Sequence, residues 1–147
     1  MPTIYPSLYQ NYFDQLVKEI ESTPEENIWK ISGDVKNSIG HLCMHLCGNL
    51  RHFIGGQLGG SGYVRQREME FNGEALPKTV LLALLDQTRK EVFPVLDSIA
   101  ESDLKKIFPQ LFHEKEWTNE YMLTHMFAHL AYHTGQINYL RRLTNAV

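Results

Sequence analysis

Residues 129–137 read HLAYHTGQI and set His129 and His133 one helical turn apart. The apolar residues around them repeat with the period of a helix. Turning about 100° per residue with His129 at zero, Met122, Met126 and Leu140 fall close to it, Leu130 and Ile137 lie on one flank and Tyr132 and Leu143 on the other. His133 shares that arc and His125 lies slightly to its other side, so all three histidines are expected to face the core. Thr124, Ala131, Gly135 and Asn138 occupy the opposite arc. Thr118, with Glu120 behind it, supplies an N-cap and an acidic first turn, giving a helix that extends to about Leu143.

The same period recurs upstream. From about Tyr5 to Ser22, Leu8, Tyr9, Tyr12, Phe13, Leu16, Val17 and Ile20 form one stripe, and Thr23-Pro24 stops it. A short turn follows at 24–29, then the loop SGDVKN and a second helix from near Ser38 to about Gly55, where GGQLGGSG interrupts it. That glycine-rich stretch lacks the spacing of a phosphate-cradling loop. Pro77 opens a third helix at its first position, running to about Ala100 through Val80, Leu81, Leu84, Leu85, Val92, Leu96 and Ile99, with Pro94 expected to kink or shorten it. No segment alternates with period two for long enough to make a sheet. The expected architecture is all-α, a four-helix bundle formed by one domain over 1–147.

The composition agrees with a globular chain. Its 147 residues can bury one hydrophobic core, and 43% apolar with 21% charged residues is the balance of a soluble protein. A formal charge of −3 gives no reason to expect a nucleic-acid partner. The N-terminal MPTIYPSLYQNYFDQLVKEI has neither a basic region followed by an apolar run nor a membrane span, so a cytoplasmic location and no membrane association are expected. Cys43 and Cys47 share one helix, make poor disulfide partners and read as reduced structural thiols.

Helix two repeats the histidine theme in HLCMHLCGNLRHF, where His41, His45 and His52 lie on one side with Gly48. The cysteines, two residues either side of His45, turn about 200° away from it and cannot share an ion with it. A lone imidazole left inside a bundle without a partner costs on the order of 1–3 kcal/mol, and several in one core point to a metal. One histidine from helix two and two from the last helix would give three neutral nitrogen ligands and leave open positions, the pattern of a catalytic site. HExxH is absent. Spacing alone does not choose among His41, His45 and His52, or between His125/His129 and His129/His133.

HLCGNLRHFI in helix two, VRQREMEF after the glycine-rich break and AHLAYHTGQINYLRRL near the C-terminus together resemble the DinB-like proteins, also called the damage-inducible or YfiT-like superfamily, in a branch of uncharacterised bacterial members. The resemblance runs in order over most of the chain. It implies a four-helix bundle, often a homodimer, with a divalent metal held by one helix-two histidine and an HxxxH pair of the last helix. Carried onto this sequence, the ligands are His45, His129 and His133, while His41, His52 and His125 fall outside the pattern. Some characterised relatives are thiol transferases that use a low-molecular-weight thiol such as bacillithiol or mycothiol, a related bundle isomerises maleylpyruvate with a thiol cofactor, and others have been called metal-dependent hydrolases. No resemblance to a DNA polymerase is present.

The expected function is therefore that of a metal-dependent enzyme with a three-histidine site, a thiol-dependent S-transferase acting on small electrophiles. A metal-dependent hydrolase and a non-catalytic, metal-braced dimer are the alternatives. An ion with neutral ligands lowers the pKa of a thiol or water in its open position, so no protein nucleophile is required. Imidazole suits several transition metals, with zinc or nickel the expected ion. Arg51, Arg65 and Arg67 are candidates for binding carboxylates of a thiol cofactor, Glu70 for a base or a partner to a ligand histidine, and Gln136 for orienting His133.

Overall fold

The computed structural model describes residues 1–145. Helix α1 spans Tyr5–Ser22, α2 Ile39–Leu50, α3 Met69–Asn72, α4 Lys78–Ser98 and α5 Asn119–Asn145, with single 3₁₀ turns at Glu25–Asn27 and Glu101–Asp103. The four long helices pack as the expected bundle: α1 lies against α4 and α5, and α2 against α4 and α5. None of the described helices is long and apolar enough to cross a membrane.

Each long helix starts where its local chemistry dictates. Pro6 sits in the first turn of α1, where its missing N–H is no loss. Thr118 accepts a hydrogen bond from the Tyr121 amide through its hydroxyl, so it caps α5 as expected. The core is one cluster of side chains from all four long helices, with Tyr9, Phe13, Leu16 and Ile20 of α1 buried against partners that include Leu130 and Ile137 of α5. The Tyr9 hydroxyl donates to the Leu123 carbonyl at 2.6 Å, which fixes α1 on α5. Further along the same contact, Glu19 is buried and accepts from Arg141 and Asn138.

Three boundaries differ from expectation. Helix two does not stop at Gly55: α2 continues as a π-helix over Arg51–Leu58. The wider winding carries Gly55 past α4, where a Cβ would meet Glu91 at an ordinary 3.7 Å. Pro77 lies just outside α4 as its N-cap, and the helix runs through Pro94 to Ser98. It does so without the bond that an amide at position 94 would make to the Lys90 carbonyl. The stretch after the glycines, to which the sequence assigns no helix, contains α3, a single turn that carries Glu70 into the interior.

The polarity of α5 also corrects the helical wheel. Its buried residues, among them Met126, Leu130, Thr134 and Ile137, centre roughly 75° around from His129. His133 and His129 thus lie on the edge of the core stripe, His125 lies well beyond it, and Tyr132 and Leu143 are 65% and 62% exposed. The reason is that α5 packs on two neighbours: its deepest face meets α1, and the histidine edge meets α2.

Candidate metal centre

The site forms where α2 crosses that edge of α5. His45 points from α2 toward the His129–His133 turn, and the three histidines offer ligand atoms within 4.8 Å of one another. Nε2 of His45 lies 3.0 Å from Nε2 of His129. The His133 ring stands edge-on to both, with centroids 5.2 Å from His45 and 4.5 Å from His129. Among the described residues this is the one group of three or more such side chains that could hold a metal ion.

Two of the rings have their protons fixed by oxygen acceptors. His45 donates through Nδ1 to Glu70 Oε1 at 3.0 Å, and His133 donates through Nδ1 to Gln136 Oε1 at 2.6 Å. Both Nε2 lone pairs are thereby left free, the arrangement in which imidazoles ligate metals. His129 is different. Its Nδ1 is buried with no partner, while its Nε2 faces the bare Nε2 of His45. Without a cation the chain satisfies the facing pair only by sharing one proton, so the donor set fits a divalent ion.

Glu70 is held as firmly as the ring it orients. Arg65 donates to it through Nε and Nη2, both at 2.8 Å, so the Arg65 and His45 donors converge on one buried carboxylate. Burial pushes the Glu70 pKa up, but the hydrogen bonds from His45 and Arg65 outweigh it and hold the carboxyl below its usual range. Gly48 makes this possible. One turn beyond His45, a Cβ there would stand 2.0 Å from Glu70 Oε2, so only glycine leaves room for the carboxylate. Phe71 covers the other side of His45 at 4.9 Å between centroids.

His129 and His133 resist protonation. Burial, followed by the neighbouring His133 and His45, lowers the pKa of His129 to about 3. Burial also lowers His133, in spite of its bond to Gln136. Neutral rings are the state a metal requires.

The remaining histidines are engaged elsewhere. His41 closes a capping box at the start of α2, accepting the Ser38 amide through Nδ1 while its own amide donates to the Ser38 hydroxyl. His52 pairs with Gln110 at 2.8 Å. His125 packs against Phe112 and stacks beyond Tyr121. Arg51 is not at the site: Glu91 takes both its Nε and Nη2, and its guanidinium lies over Tyr63. Arg67 lies over Phe71. Neither Arg51 nor Arg65 is left free for a cofactor carboxylate, because Glu91 and Glu70 occupy them. The cysteines are free thiols buried in the core, apart from the rings.

Residues 7–146 match the family described as Protein of unknown function (DUF1572). The chain belongs to this family. The DUF1572 chain shares its fold with a DinB-like protein from Bacillus cereus ATCC 10987, at TM-score 0.77 and 13% identity over 96% of this chain and 91% of that one. A conserved protein from Enterococcus faecalis superposes at TM-score 0.77 and 15% identity, covering 100% and 99%. The colibactin self-resistance protein ClbS, solved in complex with a dsDNA, is more distant at TM-score 0.63 and 17% identity, covering 94% of each chain. No curated protein matches the DUF1572 chain. The likenesses establish the DinB-like helical bundle expected from the sequence.

Proposed function

We propose that the chain is a metal-dependent enzyme in which His45, His129 and His133 hold a divalent ion, zinc or nickel, and that it transfers a low-molecular-weight thiol such as bacillithiol to small electrophiles. The observation that carries this reading is the cluster itself: three converging imidazoles, two with Nδ1 turned outward onto Glu70 and Gln136. Bound there, a divalent ion would supply positive charge that acidifies an incoming nucleophile.

The surroundings favour a thiol over water as that nucleophile. Water activation profits from a general base titrating near neutral pH. Both oxygens of Glu70 are spent on His45 and Arg65, and the three histidines would be spent on the ion. A thiol, with an ordinary pKa of about 8.5, ionises with little help. The roles left to the protein are to orient His45 through Glu70 and Arg65, to orient His133 through Gln136, and to keep His129 and His133 neutral by burial.

ClbS, solved with dsDNA, raises nucleic acid as a partner. A formal charge of −3 and the pairing of Arg51, Arg65, Arg89 and Arg141 with carboxylates favour a small molecule instead. The test is conjugate formation from bacillithiol or glutathione and a panel of electrophiles, with metal-loaded and metal-free protein. Conjugation that requires metal supports the transferase. Ester or amide hydrolysis without conjugation would replace it with a hydrolase, and loss of thermal stability alone on metal removal would leave a bracing ion. Saturable binding of a labelled duplex would contradict the small-molecule reading.

A further inference from the structure

Beside His133 the surface opens into a groove of about 490 Å³ between the loop at 35–37, α2 and the outer face of α5. That volume lies in the range of small-molecule sites. Its walls are apolar and left open: Leu42 lies at its base, and Tyr132, Tyr139 and Leu143 are 65%, 66% and 62% exposed along one side. Large side chains uncovered side by side on one face mark a binding surface more often than scattered ones do. Tyr132 also packs edge-on against the His133 ring at 5.2 Å, so the wall is continuous with a candidate ligand.

Polar groups stand at both ends. His133 and Gln136 line one end. Gln136 spends its carbonyl oxygen on His133, and its amide nitrogen makes no hydrogen bond among the described residues. Lys36 and Asn37 line the rim, and Lys36 makes no ion pair among the described residues. The second cavity, of about 520 Å³ on the other flank of α2, is built differently: its charged members Arg51 and Glu70 are already paired with Glu91 and Arg65. The first differs in setting a charged donor without an ion pair, Lys36, and the free Gln136 amide next to open apolar walls.

We propose that this groove holds the body of the substrate, a small molecule with an aromatic or branched apolar part and a carboxylate, the carboxylate toward Lys36 and Asn37 and the reacting end toward His133. The assignment rests on the reading of the three histidines as a metal centre, and it names the substrate class of that site. Tyr139 and Tyr132 supply flat apolar contact at little entropic cost, Lys36 supplies charge, and the free amide of Gln136 supplies a donor at the reacting end.

The test is calorimetric titration of the full chain, with and without bound zinc, using 4-phenylbutyrate and its uncharged analogue 4-phenylbutanol, with sedimentation and zinc content measured on the same samples. One equivalent of each probe is expected to bind. Tyr139→Ala and Leu143→Glu should each weaken both probes about tenfold, the loss of one well-packed apolar contact. Lys36→Met should weaken the carboxylate several-fold and leave the alcohol unchanged, as expected for a single exposed charge. Zinc content should be unaltered in all three variants.

Probe binding indifferent to Tyr139→Ala and Leu143→Glu overturns the groove while leaving the metal reading intact. A chain that takes no zinc but binds the probes in this pattern keeps the groove and overturns the metal reading. If the wild type binds neither probe and Leu143→Glu turns a dimer into a monomer, the face is a subunit contact and the assignment is wrong.

Discussion

Replacing Gly48 by alanine isolates the support of the metal centre from its ligands. A Cβ at position 48 would stand 2.0 Å from Glu70 Oε2 and 2.7 Å from its Cδ. Restoring an ordinary contact of about 3.5 Å moves the carboxylate by about 1.5 Å, and no move of that size keeps the bonds to His45 at 3.0 Å and to Arg65 at 2.8 Å. Each charge-assisted bond lost costs about 1.5–3 kcal/mol, against a gain of about 1 kcal/mol from alanine over glycine in a helix. The net expectation is about 2 kcal/mol of lost stability in the metal-free protein, a Tm lower by roughly 4–8 °C. Metal affinity, with His45 no longer oriented, should fall about 10–100-fold, or about 1.4–2.8 kcal/mol. Differential scanning calorimetry and competition with a chelator read the two effects separately. Gly135→Ala, where a Cβ meets nothing within 4 Å, is the control and should raise the Tm. A Gly48→Ala protein that holds metal within threefold of wild type with an unchanged Tm would refute the reasoning.

Other outcomes follow from the same geometry. Alanine at His45, His129 or His133 should each weaken metal binding by about 100-fold or more in equilibrium dialysis, whereas His52→Ala and His125→Ala should leave it intact. His41→Ala should also keep the metal but cost about 1 kcal/mol in thermal denaturation, because the capping box at Ser38 is lost. Glu70→Gln keeps an acceptor for His45 but removes the charge opposite Arg65; a drop of about tenfold or more in metal affinity is expected. In the metal-free protein, His129 titrates near 3 in the fold and about 6.5 when unfolded. The unfolded chain therefore binds the proton first. The stability that neutral His129 carries is complete above about pH 6.5 and is lost as pH falls toward 3, so the Tm should decline over that window, and less steeply in His129→Gln.

The helices were legible because their causes are local. Thr118, Thr23-Pro24 and the apolar stripe of α1 act within a few residues, and those signals place α1 and the start of α5 correctly. The resemblance named His45, His129 and His133, and the fold brings those three together. The wheel alone could not have separated His45 from His41 and His52. His41 is taken up by an S-x-x-H capping box in place of the usual glutamate or glutamine, and His52 by Gln110, a partner 58 residues away. Glu70 was named as a base or as a partner to a ligand histidine, and the fold gives it the second role. Its burial depends on Gly48, and no local pattern encodes that contact. The centre of the α5 stripe was misplaced because two neighbours, α1 and α2, share that helix. The π-helical end of α2 was missed because glycines that usually end a helix here sit inside a wider turn packed on α4.

The most direct measurement is X-ray absorption at the metal edge of untagged protein loaded with one equivalent of zinc or nickel. The account predicts a first shell containing three imidazole nitrogens, falling to two in His129→Ala. A shell with one imidazole or none, unchanged by that substitution, would contradict it.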